Sequence, residues 1–284
     1  MKNLTFLIFL SIAAAAQADE PAAFTVRVAG TSRPMILIPG LASPGEVWNS
    51  TVEHFQNRYT CHVLTLAGFA GQPAIQQPLI ETARRQLAAY IRENKLDRPI
   101  IVGHSLGGFL ALDLAATEPD LVGAVISVDG LPFLPALFNP GATEEVARKQ
   151  AEGLRAKFAK ESSEEFAAGN RRSLTTMITK AEDLDRMAAA GAKSDPRAVG
   201  DAMAEMLSTD LRPAVSKIKA PVLLIGAGGA APSFMKSRLA AAYEAQIASI
   251  PNHKFVLAEK ARHFVMLDDP AFLFATIDAF LEGK

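Results

Sequence analysis

Short apolar runs rich in β-branched residues alternate along the chain with longer amphipathic stretches. Seven of the runs predict strands, at residues 24–28, 35–38, 60–65, 100–102, 122–128, 222–225 and 254–257. Amphipathic segments such as 80–94, 106–117 and 234–245 separate them. The pattern predicts an α/β fold with a mostly parallel sheet covered by helices on both faces. Ligands bind such sheets at the carboxyl ends of the strands, so the residues that follow each strand are the candidates for function.

One long segment interrupts this alternation. Residues 132–212 carry no strand pattern and instead predict helices at 143–168, 174–190 and 196–207, with Thr143 and the two glutamates after it typical of a helix start. A crossover between parallel strands needs only about a dozen residues. We therefore predict a helical lid at 132–212, inserted into a core formed by 19–131 and 213–284. The alternative is that these helices simply cover the sheet.

The first eighteen residues have the organisation of a secretory signal peptide. Lys2 gives a positive start, residues 4–16 are mostly apolar, and Ala16-Gln17-Ala18 matches a cleavage site. We expect cleavage after Ala18 and a periplasmic or secreted protein without stable membrane insertion. The alternatives are a retained membrane anchor and a buried N-terminal helix.

Composition and charge exclude several other classes of protein. The 284 residues are 49% hydrophobic and 21% charged with a net charge of −1, which is a globular composition and excludes a disordered chain. No basic block provides an electrostatic footprint for nucleic acid, so we expect no nucleic-acid partner. The single cysteine, Cys61, excludes an internal disulfide and a cysteine metal cluster.

A serine motif carries the most specific chemical signal. Gly103-His104-Ser105-Leu106-Gly107 fits G-x-S-x-G, and it lies between a β-branched run and an apolar helical stretch. This strand–turn–helix setting is that of a nucleophile elbow, where glycines leave room for a sharp turn that presents the serine hydroxyl. The alternative is an ordinary glycine-rich turn.

With these features the chain resembles the α/β-hydrolase superfamily, specifically its lid-bearing serine esterase-like group. The resemblance covers nearly the whole predicted mature chain. It rests on the helical insertion and on four motifs, ILIPGL at 36–41, GHSLGG at 103–108, PVLLI at 221–225 and ARHF at 261–264. It implies a Ser–His–acid triad and no cofactor, and the sequence suggests no metal. The fold alone does not determine the reaction.

His263 is the strongest candidate for the base that activates Ser105. It follows the last predicted strand and precedes the terminal helix, which places it at the carboxyl edge of the sheet, and it matches the late histidine of the family. The other four histidines lie within an early helix, within a strand, before a strand, or inside the elbow as His104. The alternative for His263 is a surface loop histidine.

The acid of the triad departs from the usual position. Many relatives place it after the strand at 222–225, but residues 226–231 read GAGGAA, without a carboxylate. This segment also resembles a dinucleotide fingerprint, which we reject because the required acid about 20 residues later is absent.

The other family position, after the strand that follows the elbow, holds Asp129. Asp268 and Asp269 follow His263 but are typical of a helix start, and Asp113 lies within a helix. Asp129 is therefore the predicted acid, although it could simply cap a turn with Gly130.

Two backbone amides complete the predicted site. The residue after the nucleophile, Leu106, supplies one N–H of the oxyanion hole. The resemblance implies that Leu41 supplies the other, although many relatives carry His-Gly where this chain has Pro39-Gly40. Trp48 could line a pocket but is more simply a packing residue.

The resulting prediction is a periplasmic or secreted serine hydrolase that cleaves a carboxylic ester through an acyl-enzyme. The alternatives on the same triad are a C–C hydrolase, a lactonase and a cofactor-free haloperoxidase, and the alternative without catalysis is a ligand-binding protein. Relatives that use an aspartate nucleophile are disfavoured by Ser105. The apolar run at 131–138 suggests an apolar small-molecule ester as substrate, although it could equally serve packing of the lid on the core.

Overall fold

The computed structural model describes residues 20–76 and 78–283, and it contains a seven-stranded sheet. The strands are β1 (Phe24–Ala29), β2 (Arg33–Ile38), β3 (Tyr59–Leu66), β4 (Ile100–His104), β5 (Ala124–Val128), β6 (Val222–Ala227) and β7 (His253–Ala258). Their spatial order is β1-β3-β2-β4-β5-β6-β7, and only β1 runs antiparallel to its neighbour. The predicted mostly parallel sheet is confirmed.

Eleven α-helices accompany these strands in the described part of the chain. They are α1 (Asn49–Phe55), α2 (Leu79–Glu93), α3 (Leu106–Thr117), α4 (Pro135–Phe138), α5 (Glu144–Phe158), α6 (Ser163–Met177), α7 (Ala181–Gly191), α8 (Pro196–Leu207), α9 (Lys236–Ile247), α10 (Val265–Asp268) and α11 (Pro270–Glu282).

The core consists of two apolar layers, one on each face of the sheet. Successive strand residues point to opposite faces. In β2, for example, Ile36 and Ile38 belong to the layer beneath α2 and α3, whereas Met35 and Leu37 belong to the layer that includes α1 and α11. Helices therefore bury both faces, which explains why the central strands are apolar at nearly every position.

Between β5 and β6 the chain forms the helices α4–α8. Helix α5 packs with α8, and α6 packs with α7. The Thr143 side chain accepts a hydrogen bond from the Val146 N–H at 3.5 Å, as the sequence suggests for a helix start. The end of α7 contacts the loop after β2, where a Cβ added to Gly191 would lie 3.1 Å from the Ala42 carbonyl oxygen.

Two of the helices expected in this segment are each divided in the structure. The predicted helix 143–168 stops after Phe158, because Ser162 and Glu165 form a capping box that begins α6. The predicted helix 174–190 is interrupted at the buried Ile178, whose φ of −129° and ψ of 135° are extended. These two breaks change only the helix boundaries, because the segment 132–212 still forms helices, as the sequence predicts.

The predicted signal peptide, residues 1–18, lies outside the described residues. Across 20–76 and 78–283, none of the helices has both the length and the apolar character needed to cross a membrane.

Candidate active site

Ser105 occupies the sharp turn between β4 and α3. Its φ of 53° and ψ of −118° lie in the left-handed half of the backbone map, which is costly for a residue with a side chain. The surrounding backbone holds the turn in place: the Ser105 N–H donates to the Val128 carbonyl at 2.9 Å, and the Phe109 N–H donates to the Ser105 carbonyl at 3.0 Å. The serine is half-buried at the carboxyl edge of the sheet.

Close backbone contacts explain the glycines on either side of this serine. A Cβ on Gly103 would lie 2.1 Å from the Gly107 carbonyl oxygen, and a Cβ on Gly107 would lie 2.3 Å from the Ile38 carbonyl oxygen. Both distances are far below van der Waals contact, so any larger residue would force the turn apart. The steric reason given for the motif from sequence applies to these two positions.

Asp129 directly follows β5, the strand next to that of the elbow. Its φ of 52° is also left-handed, and its N–H donates to the Ile225 carbonyl at 2.7 Å. The carboxylate accepts three hydrogen bonds. Oδ2 receives Nδ1–H of His263 at 2.5 Å, while Oδ1 receives the Ala227 N–H at 3.1 Å and the Tyr243 hydroxyl. The aspartate is thus an almost fully enclosed carboxylate, with its side chain 9% exposed.

His263 lies on the loop between β7 and α10, as expected from sequence. The backbone of this loop is fixed on two sides: Nε2–H of His104 donates to the His263 carbonyl at 3.1 Å, and the Arg262 N–H donates to Asp268 Oδ2 at 2.9 Å. The structure therefore brings Asp129 and His263 into direct contact, with Asp129 following β5, the neighbour of the strand that leads into Ser105.

The ionisation of Asp129 follows from its partners. Burial by itself raises the pKa of this carboxyl, but the hydrogen bond and charge of His263 oppose burial, and the hydroxyl of Tyr243 and the amide of Ala227 add to their effect. The net pKa lies below the usual value. Asp129 is consequently a carboxylate at neutral pH, which can orient an imidazole and stabilise its charged form.

His104 is a neutral structural partner of this pair. Burial, followed by the charge of His263, holds the pKa of His104 well below its usual value. Its ring centroid lies 4.6 Å from that of His263, and its Nδ1 has no hydrogen-bond partner in the described part of the chain. Nε2 carries the proton because it donates to the His263 carbonyl.

The loop after β2 lies directly against the serine. A Cβ on Gly40 would lie 3.1 Å from the Ser105 Cβ and 2.8 Å from His104 Nδ1. Within the described residues, no acceptor pairs with the N–H of Leu41, the next residue. Leu106 is the first residue of α3, where a helix leaves its N–H groups without intrahelical partners. Both predicted oxyanion donors are thus next to Ser105 in the chain or in space.

The remaining candidates from the sequence have structural roles. Trp48 is completely buried within the α1–α11 layer, which favours the packing interpretation. Asp269 caps α11 by accepting from the Phe272 N–H at 3.2 Å, as a helix-start residue should. The sequence also predicts Asp268 to be a helix-start residue. Its carboxylate instead accepts from the Thr179 N–H and hydroxyl at 2.9 and 2.8 Å, and from the Arg262 N–H.

Three histidines are engaged away from Ser105: His54 with Asp278, His62 with Tyr90, and His253 with the Ile250 carbonyl. Among residues 20–76 and 78–283, no three or more His, Cys, Asp or Glu side chains group in a way that could hold a metal ion. Surface cavities of about 520 Å³ and 260 Å³ lie elsewhere, the larger at the amino ends of β2, β4 and β5, and neither is lined by Ser105, Asp129 or His263. The hydrogen-bonded residues, rather than cavity size, therefore define the site.

Comparison with known proteins identifies the family of this chain. Residues 35–276 match the model of a family described as "Alpha/beta hydrolase family". The chain belongs to the alpha/beta hydrolase family. This hydrolase is 25% identical, over 190 residues, to a pimeloyl-[acyl-carrier protein] methyl ester esterase of Salmonella heidelberg (strain SL476), covering 66% of this chain and 72% of the relative.

Solved structures share the fold of this alpha/beta hydrolase. The enol-lactonase from Burkholderia xenovorans LB400 aligns with a TM-score of 0.73 at 19% identity, covering 91% of this chain and 96% of the other. A thermophilic esterase from Thermogutta terrifontis aligns with a TM-score of 0.74 at 17% identity, covering 92% and 93% of the two chains. At these identities the likeness establishes the fold. The superfamily predicted from the serine motif is confirmed.

Proposed function

We propose that this alpha/beta hydrolase is an exported serine hydrolase that cleaves a carboxylic ester through an acyl-enzyme on Ser105. The observation that carries the proposal is the 2.5 Å contact between His263 Nδ1 and Asp129 Oδ2, beside a serine held in a strained elbow. A carboxylate on Nδ1 leaves Nε2 free of its proton, so that Nε2 can accept the proton of a serine hydroxyl.

The reaction then proceeds in two balanced halves. Ser105 Oγ attacks the ester carbonyl carbon while its proton moves to His263, and the N–H groups of Leu41 and Leu106 stabilise the oxyanion. The tetrahedral intermediate collapses, and the alcohol leaves with the proton from His263. Water repeats the sequence on the acyl-enzyme, which releases the acid and restores the hydroxyl of Ser105.

The relatives support an ester bond as the target. The curated relative is by its name a methyl ester esterase, and the structural neighbours include an esterase and an enol-lactonase. A lactone is a cyclic ester, so a lactonase would use the same groups in the same order. The substrate class that we propose is therefore a small carboxylic ester with an apolar part.

Helices α4–α8 are proposed to form the cover over the substrate. The evidence is the position of Gly191, at the end of α7, against Ala42 in the loop beside Ser105. The apolar run at 131–138 divides between two environments: Leu131 and Phe133 are buried, whereas Phe138 is 81% exposed. Packing thus accounts for the start of the run, and Phe138 remains available for an apolar group.

Labelling with a fluorophosphonate probe, combined with hydrolysis of p-nitrophenyl esters, tests the proposal. Ser105→Ala should abolish labelling and lower kcat by about 10⁴-fold or more, because the nucleophile is removed from a folded protein. The matched control is Ser216→Ala, an exposed serine whose hydroxyl donates to the nearby Pro213 carbonyl at 3.1 Å. This control should label and turn over normally.

The possible results separate the enzyme from the alternatives. A wild-type protein that neither labels nor turns over any ester would refute the hydrolase and favour a ligand-binding role.

An apolar ester site predicts that kcat/KM rises by up to about fourfold for each buried methylene from acetyl towards octanoyl, since each contributes about 0.8 kcal/mol. A flat series would contradict the apolar substrate. Mass spectrometry of the exported protein tests removal of residues 1–18, and an intact Met1 would contradict it.

A further inference from the structure

A tyrosine hydroxyl that the sequence analysis does not include contacts the candidate triad. Tyr243 lies on α9, is 4% exposed, and donates its hydroxyl hydrogen to Asp129 Oδ1. Its ring stacks on Phe255 of β7, with centroids 5.7 Å apart and an interplanar angle of 15°. The side chain is thus fixed both at its ring and at its oxygen.

The end of β6, where the glycine-rich segment begins, leaves room for this tyrosine. A Cβ on Gly226 would lie 3.1 Å from two carbons of the Tyr243 ring, so glycine leaves the room that the ring occupies. The next residue, Ala227, donates its N–H to the same Oδ1 at 3.1 Å. The segment that lacks a carboxylate therefore supports the Asp129 carboxylate, directly through the Ala227 N–H and indirectly through the room that Gly226 leaves for Tyr243.

The two oxygens of Asp129 consequently have separate partners. Oδ1 accepts from Tyr243 and Ala227, and Oδ2 accepts from His263. Two donors on one oxygen fix the plane of the carboxylate and leave the other oxygen to the imidazole. Burial, together with the negative charge of Asp129, raises the pKa of Tyr243, so its phenol remains protonated and acts only as a donor.

We propose that Tyr243 is a positioning residue of the reaction, which holds Asp129 in the orientation and charge state that His263 requires. The inference rests on the proposed function, because it assigns a role within that triad. Tyr243 does not touch the reacting atoms; it acts through Asp129. From α9, Tyr243 supports an acid that follows β5 instead of β6.

Tyr243→Phe tests this role because it keeps the ring and removes only the oxygen. Hydrogen bonds to charged groups are among the stronger ones in proteins, and we expect kcat to fall about tenfold with KM changed by less than twofold. A carboxylate that has lost a donor is a stronger base and favours the charged imidazole more. The acid limb of the kcat/KM profile should therefore move to higher pH by about half a unit.

The other titratable side chain in contact with His263 in the described residues is His104, which is neutral and will not add a step to this profile. The matched control is Tyr90→Phe, which removes a hydroxyl bonded at 2.8 Å to His62 of β3, a strand separated from β5 by β2 and β4. It should leave both kcat and the acid limb unchanged. This comparison separates positioning of the acid from general loss of a tyrosine hydrogen bond.

A second variant covers the case in which Tyr243→Phe does not fold. Replacement of Tyr243 with 3-fluorotyrosine retains the hydroxyl and makes it a better donor, so the acid limb should move to lower pH. A folded Tyr243→Phe protein that leaves the limb in place and changes kcat by less than twofold overturns the proposal. If Tyr243→Phe does not fold, an unmoved acid limb in the 3-fluorotyrosine protein overturns it. Failure of the proposed function is a distinct result, since it would show as absence of fluorophosphonate labelling in the wild-type protein.

Discussion

Replacing Asp129 with Asn gives a sharp prediction because the hydrogen bonds around this residue allow only one orientation of the new amide. The Asn oxygen must occupy the Oδ1 position, where the Ala227 N–H and the Tyr243 hydroxyl both donate. The reverse orientation would place an NH₂ group against the buried Ala227 N–H and cost about 1–3 kcal/mol. The amide nitrogen therefore faces Nδ1 of His263.

The consequence for His263 is the wrong tautomer. An NH₂ group can only donate, so Nδ1 must accept and the ring proton moves to Nε2. An imidazole with Nε2 protonated cannot take the proton of Ser105. The same exchange in a serine protease triad lowers kcat by about 10⁴-fold, which corresponds to about 5.5 kcal/mol of transition-state stabilisation. We expect a loss of this order with unchanged packing.

The assay is the kcat for an ester that the wild-type protein hydrolyses, together with the rate of fluorophosphonate labelling and the thermal unfolding midpoint. Asp269→Asn is the matched control, because Asp269 caps α11 and asparagine caps helices equally well. It should retain near wild-type kcat. A loss below tenfold in a folded Asp129→Asn protein, or a larger loss from Asp268→Asn or Asp269→Asn, would refute the assignment of the acid.

Two further predictions follow from buried titratable groups. The pKa of His104 lies well below its usual value, so between about pH 7 and 5 the unfolded chain binds a proton that the native protein does not. The free energy of unfolding should therefore decrease as pH falls, by up to about 1.4 kcal/mol per pH unit. His104→Gln should reduce this slope in urea unfolding, and an unchanged slope would contradict the reasoning. Burial raises the pKa of the Cys61 thiol to about 11, so at pH 8 iodoacetamide should alkylate the native protein roughly two orders of magnitude more slowly than the urea-unfolded chain, and comparable rates would show that Cys61 is accessible.

The centre of the sheet could be predicted from the sequence because β4, β5 and β6 are buried on both faces and are therefore apolar at nearly every position. The edge strand β1 gave a different signal, since its apolar residues alternate with the exposed Thr25 and Arg27. Each of the seven runs corresponds to a strand. The boundaries of the inserted helices were less accurate. The division before α6 had a visible signal, Ser162 followed by Glu165, which is the pattern of a capping box. The division at Ile178 had none, because it depends on contacts with a distant loop.

The candidate site was predictable where chain order determines position. Ser105, Asp129 and His263 each follow a parallel strand, so the topology alone places them at one edge, and the structure adds the contact between the last two. Tyr243 and the hydrogen bonds of Asp268 to Thr179 and Arg262 could not be found in this way. Both depend on hydrogen bonds between side chains and residues that are distant in sequence, and no local sequence pattern in α9 or α10 predicts such contacts.

The hydrogen bonds of Asp268 connect the proposed cover to the candidate base. One carboxylate holds Thr179, between α6 and α7, and also Arg262, the residue before His263. Displacement of the helices therefore strains the same bonds that fix the imidazole loop. An ester too bulky to fit beneath α6 and α7 would misalign its own base as it pushes them outward, so size discrimination would be expressed in kcat rather than in binding.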